Sequence, residues 1–176
     1  AQAMAEVTAA HKTLLGRLQP QNWTKIGEFV ESLGDIGKLR GRLLTVRDFR
    51  YVDVAAIDAM NVSLQEAHDR VGAAAGEFLG SDKALQPFAD RLQELDAAAQ
   101  VAQTAKQLSE QIAQMQVMSG DLDMLSELMA SLKVDDAAQR TRVVEAISAI
   151  YAKLNQARAR ADQRRRSCLL YTSDAA

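Results

Sequence analysis

Within residues 53–80, Ile57, Met60, Leu64, Ala67, Val71, Ala74 and Phe78 recur at alternating steps of three and four. Only an α-helix lines such positions up along one side, so this stretch is expected to form one helix that must bury a continuous seam. Asp53 stands where its carboxylate can accept from the free N–H groups of the first turn, and Gly80 stands where the helix can end. The spacing returns near the C-terminus, where Val143, Ile147, Ile150, Leu154, Ala157 and Ala161 step by four and three. Asp135 and Asp136 precede this seam as an acidic N-cap that complements the helix dipole. The helix is expected to run through Arg166. Val144, Tyr151 and Arg158 form a neighbouring row, so its apolar face starts broad and narrows to alanine; such a helix is expected to leave its partner before it ends.

Shorter segments fill the rest. Pro20 separates a first helix, ending near Leu18, from one capped by Asn22 that runs from Trp23 towards Phe49, with an interruption expected at Gly34-Asp35. Ser81-Asp82 and Pro87 mark a turn and a restart, with the proline expected in the first turn, where its missing N–H costs nothing. Phe88, Leu92, Leu95 and Ala99 then make one face, and Val101, Ala105, Leu108, Ile112 and Met115 another, on a helix read as continuous or slightly kinked. Ser119-Gly120-Asp121 is expected to break the pattern, with Asp121 capping a further helix that carries Leu122, Leu125, Leu128, Met129 and Leu132. No segment alternates with period two for long enough to make a strand, and no repeat of 20 to 50 residues is visible. The expected fold is all-α: an elongated antiparallel helical bundle or set of coiled-coil hairpins.

Composition narrows the function classes. Aromatic residues are only 5% of the 176, so close packing through alanine is expected in place of a thick aromatic core. A formal charge of −2 makes no global case for nucleic acid. No apolar run approaches the roughly 18 residues of a membrane span. The first residues, AQAMAEVTAAHK, lack the basic start and apolar stretch of a secretion signal. A cytoplasmic protein is expected, and the start without methionine reads as a cut.

Each candidate site has a plain structural alternative. LGDIGKLRG, residues 33–41, has the look of a phosphate loop, but Ser32 and Leu39 stand where that loop needs glycine and Ser or Thr. Gly27, Gly34 and Gly41 step by seven, and Gly72, Gly76 and Gly80 by four, which fits close approach of a neighbouring backbone; at Gly34 and Gly80 a helix break is the preferred reading. RLLTVRDFRYVD sets Arg42, Arg47 and Arg50 beside Phe49 and Tyr51. Leu43, Val46 and either Phe49 or Arg50 are expected to extend the core stripe, with Asp48 and Asp53 neutralising the arginines. His11 and His68 have no second His or Cys a turn away, so neither suggests a metal, and His68 is expected to be a surface residue. No catalytic, cofactor-binding or metal-ligating set is expected. The remaining local signal is basic: Lys153, Arg158, Arg160, Arg164, Arg165 and Arg166 against Asp162 alone. Dipole complementation and pairing of Asp162 with Arg158 and Arg166 would account for it. Contact with a nucleic-acid backbone by Arg158, Arg160, Arg164, Arg165 and Arg166 is the alternative.

The chain closes with SCLLYTSDAA, where helical periodicity stops. Cys168 to Ser173 can be encoded by TGT CTC TTA TAC ACA TCT, and the last three residues by GAC GCT GCC. That string resembles the transposon-end adapter of sequencing libraries, translated in frame. Residues 167–176 are therefore set aside as a non-native tail, which removes the single cysteine from any functional argument. Residues 1–20 are read as the N-terminal helix of a fragment and 21–166 as its helical bundle.

Two stretches, GRLLTVRDFRYVDVAAIDAM and DMLSELMASLKVDDAAQRTRVVEAISAIYAKLNQARARAD, resemble the helical region of very large bacterial proteins labelled DNA repair ATPase. The similarity covers most of residues 28–166 and is carried by RDFRYVD, LKVDDAAQRTRVVEAI and LNQARAR. It implies a long multidomain parent whose nucleotide-binding part lies elsewhere, since no phosphate loop is present here. A non-catalytic helical arm or spacer is the function it implies. An independent coiled-coil module, packing on other helices of the same protein or as a homo-oligomer, is the alternative.

Overall fold

The computed structural model describes residues 1–132 and 134–174, the last four by backbone alone. Among these there are six α-helices, one short 3-10 turn and no strand. The chain divides into two compact units, residues 1–78 with 132–134, and residues 79–131 with 135–176.

The first unit opens with α1 (Gln2–Arg17), which buries Val7 and Leu14. A 3-10 turn, Pro20–Asn22, follows, and α2 (Ile26–Arg47) starts later than expected. Asn22 is not its cap: the Asn22 side-chain amide donates to Gln19 Oε1 within the turn, at 3.0 Å. The capping group is Glu28, three residues past Lys25, whose Oε2 accepts from the Thr24 and Lys25 N–H groups at 2.9 and 3.1 Å. No interruption occurs at Gly34-Asp35, because Phe29, Ile36, Leu39, Leu43 and Val46 form one stripe in register across it. Burying each of these large side chains contributes about 1.5–3 kcal/mol, which outweighs about 1 kcal/mol per glycine.

The chain reverses and α3 (Val54–Leu79) begins where Asp53 Oδ1 accepts from the Ala56 N–H at 3.0 Å, as its sequence anticipates. Helices α2 and α3 run antiparallel: Arg47 pairs with Asp58, Arg40 donates to Asn61 and Gln65, and Phe29 stacks on Phe78 at 5.1 Å. Ile57, Met60, Leu64, Ala67 and Val71 are buried as expected, but the stripe then passes to Ala75 and Leu79, not Ala74 and Phe78. On a straight helix of 3.6 residues per turn a strict three-four seam drifts by about 20° per heptad, and two successive steps of four, to Ala75 and Leu79, correct that drift. Gly72 and Gly76 lie on the resulting buried edge: a methyl group there would meet Leu132 Cδ2 at 3.3 Å and Val134 Cγ2 at 3.4 Å.

Close approach explains those two glycines and not Gly16, Gly27, Gly34, Gly37, Gly41 or Gly120. A methyl group at Gly27, Gly34, Gly41 or Gly120 would touch nothing within 4 Å. Gly34→Ala and Gly120→Ala are each expected to stabilise the chain by about 0.5–1 kcal/mol through helix propensity alone, measurable by urea unfolding. A loss of stability in either variant would mean that the glycine meets a neighbour.

The second unit is a three-helix bundle of α4 (Asp82–Val101), α5 (Ala105–Ser131) and α6 (Ala137–Asp174). Pro87 falls at the sixth position of α4, beyond the first turn, where its ring removes one ladder hydrogen bond. The stretch read as continuous through residue 101 instead breaks at residues 102–104. Thr104 Oγ1 accepts from the Gln107 N–H at 3.1 Å while Gln107 Oε1 accepts from Gln103 and Thr104, so Thr104-x-x-Gln107 is a capping box that starts α5. The break expected at Ser119-Gly120-Asp121 is absent. Met118 joins Leu108, Ile112 and Met115 to Leu122, Leu125 and Met129 in one unbroken stripe, and Gly120 faces solvent.

Helix α6 starts as anticipated, with Asp136 Oδ1 accepting from Ala138 and Gln139 at 3.0 and 3.1 Å. All six seam residues from Val143 to Ala161 are buried. The alanines do not mark a departure: Ala157 and Ala161 stay packed, and small side chains there let neighbouring helices come close. Nor does the helix stop at Arg166; it continues to Asp174. Residues 167–174 contain no Gly or Pro to stop it, so loss of the apolar seam ends the packing, with Leu169 and Leu170 exposed, but not the helix. The final two residues of the SCLLYTSDAA segment, like Lys133, lie outside the described residues.

Candidate functional site

The arginines of α6 are distributed over two sides of that helix, and four of them are engaged within the unit. Arg160 reaches Asp96 of α4 at 3.0 Å. Arg164 donates to the Ala102 carbonyl at 2.6 Å, supplying a partner to one of the groups a helix C-terminus leaves open. Arg165 and Arg166 both pair with Asp162, at 2.7 and 2.8 Å. Arg165 thus takes the place expected for Arg158, which is half-buried and makes no ion pair among the described residues. These bonds also fix topology: α6 runs parallel to α4 and antiparallel to α5, whose Asp123 accepts from the Tyr151 hydroxyl. Burial first, and that hydrogen bond second, push the Tyr151 phenol above its usual range.

Charge is segregated between the helices of this unit. Helices α4 and α5 together carry eight acidic and three basic residues, whereas α6 through Leu170 carries eight basic residues and only Glu145 and Asp162. The basic end is visible in the sequence but its acidic counterpart is not, because the acids are spread over two helices whose boundary at residues 102–104 carries no glycine or proline. Between α5 and α6 lies a groove of about 270 Å³ lined by Met129, Ala130, Val144 and Ile147, with Arg140 and Tyr151 among its polar residues. Between α4 and α6 a second, of about 350 Å³, has Arg142 on one wall and the start of α4 on the other.

The arginine and aromatic cluster of residues 42–53 is placed differently from expectation. The core stripe ends at Val46, and Phe49 and Arg50 are exposed. Arg47 pairs chiefly with Asp58 of α3 through two bonds of 2.9 and 3.3 Å, with Asp48 adding a weaker attraction, and the Arg47 contact holds the Asp58 carboxyl below its usual range. Asp53 is occupied as a helix cap. Tyr51 is fully exposed at φ 64°, a left-handed conformation that costs a non-glycine residue about 1–2 kcal/mol. Tyr51→Gly is therefore expected to raise stability by about 1 kcal/mol in chemical denaturation.

Residues 33–41, the phosphate-loop look-alike, lie wholly inside α2. His68 is a partly exposed helix residue with Nδ1 3.8 Å from Asp69, and no cluster of potential metal ligands occurs among the described residues. His11 differs: its Nε2 is shut off from water with no hydrogen-bond partner, and burial lowers its pKa. A lowered folded-state pKa means that the unfolded chain binds the proton more readily. Stability is therefore complete above the unfolded value of about 6.5 and declines as pH falls through it towards the folded value. Melting at pH 7.5 and 5.5 is expected to show a smaller drop in His11→Gln than in the wild type; an equal drop would contradict it.

Taken together, this is an all-α chain whose second unit is a charge-segregated three-helix bundle, and that unit is where similarity to known proteins falls. Residues 83–167 match the model of a family described as a domain of unknown function, DUF7902. The match spans α4, α5 and most of α6. No curated protein and no solved structure matches the chain. Among the described residues no helix is long and apolar enough to cross a membrane.

Proposed function

We propose that the chain acts as a non-catalytic helical arm or spacer of a larger bacterial protein resembling the DNA repair ATPases, positioning or coupling domains through helix packing. The observation that carries this reading is the use of the α6 arginines: Arg160 and Arg164 bind α4, and Arg165 and Arg166 bind Asp162. Arg160 and Arg164 thus tie α6 to the end of α4, while Arg165 and Arg166 are spent within α6, a use that suits a mechanical part. The resemblance of residues 41–60 and 123–162 to the helical region of those proteins supports the parentage. On this reading any nucleotide chemistry lies elsewhere on the polypeptide.

The test is the unbroken reading frame on both sides of the segment. A Walker-type phosphate loop encoded on the same polypeptide is the expected result, and a frame without one would sink the proposed parentage. A second reading, an interaction module that packs on another helix, is favoured by the open groove between α5 and α6.

A further inference from the structure

The outer face of the α5–α6 hairpin has the properties of a self-complementary surface. Val144 is 49% exposed although it neighbours Val143 on the core seam, and it lines the groove with Met129, Ala130 and Ile147. Along the α5 side stand two carboxylates: Asp123, bonded to Tyr151, and Glu127, close enough to Tyr151 to act on its phenol. Along the α6 side stand Arg140 and Arg158, neither with an ion-pair partner among the described residues. One rim is acidic and the other basic, with an apolar groove between them.

We propose that this face pairs two copies of the chain about a two-fold axis parallel to the helices, α5 of each lying against α6 of the other. The rotation sets each acidic rim against the partner's basic rim and lets Val144 of each copy enter the groove of the other. A two-fold axis across the helices would set acid on acid and base on base, which disfavours it. Size agrees with the pairing. The 27 residues of α5 give a face about 40 Å long. With two helices side by side it is about 20 Å wide, or about 800 Å² per copy, the area of a standard stable interface.

The proposal deepens the reading of the chain as a helix-packing part by naming its partner. Its failure is separable, because the parentage is decided by the reading frame and the pairing by the mass of the particle. Sedimentation equilibrium of the full chain is expected to show a dimer at micromolar concentrations. Val144→Glu should keep its helical circular dichroism yet sediment as a monomer. Glu127→Arg and Arg140→Glu should each weaken self-association at least about tenfold, equivalent to about 1.4 kcal/mol. Mixing those two variants should restore a dimer, since in the mixed pair one acidic rim and the basic rim it faces are both unaltered, and on the other side both rims carry a reversed charge. A wild-type chain that stays monomeric, or a dimer indifferent to all three changes, would overturn the proposal, as would a monomer that instead retains a DNA duplex.

Discussion

Replacing Ile147 by aspartate is expected to abolish the cooperative unfolding of the second unit. Ile147 is 4% exposed on the α6 seam, between Val143 and Ile150, and among the described residues no buried polar or charged side chain could receive a carboxylate. The substitution must either bury an unpaired charge or pull α6 away from α5, and changes of this kind cost more than about 4 kcal/mol. Against a total stability of about 5–15 kcal/mol, that is enough to lose a sharp transition in urea monitored by circular dichroism. Val144→Asp, one position along but on the exposed row, should keep a sharp cooperative transition, with the midpoint lowered only by the loss of self-association. A normal transition in Ile147→Asp would mean that the seam faces elsewhere.

The corresponding weak point of the first unit is Phe29. It is 1% exposed, meets Trp23 edge-on at 5.0 Å and stacks on Phe78, so it joins the chain before α2 to the end of α3. Phe29→Ala removes both ring contacts and leaves a cavity, a change expected to cost about 3–5 kcal/mol. The expected readout is a lower urea midpoint with loss of the Trp23 near-ultraviolet signal. Phe29→Leu should recover much of the loss, because it refills most of the volume.

Much of the helical layout is legible in the sequence, for a physical reason: a buried stripe is written as a three-four spacing, and Asp53 and Asp136 write their caps beside it. The errors cluster where two local signals compete. Glycines at 34 and 120 look like breaks, yet both face solvent while the stripe runs on behind them. The true break at residues 102–104 has no glycine or proline. Its signal, Thr104 followed by Gln107, is visible in the sequence as a capping box but lies within an apolar pattern that suggests continuity. Candidate sites are less legible because they depend on partners distant in sequence. Arg164 reads as a solvated or phosphate-seeking cation until the Ala102 carbonyl is placed beside it, 62 residues away. Tyr51 reads in the sequence only as a ring beside the arginines of residues 42–50, and its backbone angle and full exposure show that it is neither buried nor relaxed.

The central claim is that Arg160 and Arg164 join α6 to α4, that Arg165 and Arg166 are held by Asp162, and that the chain acts by packing. It is tested most directly by fluorescence anisotropy of single- and double-stranded DNA titrated with the full chain across a salt series. The wild type is expected to show no saturable binding, while Arg164→Gln lowers the melting temperature through loss of the Ala102 contact. Saturable binding with a steep salt dependence, abolished when Arg164, Arg165 and Arg166 are changed to glutamine, would contradict the account.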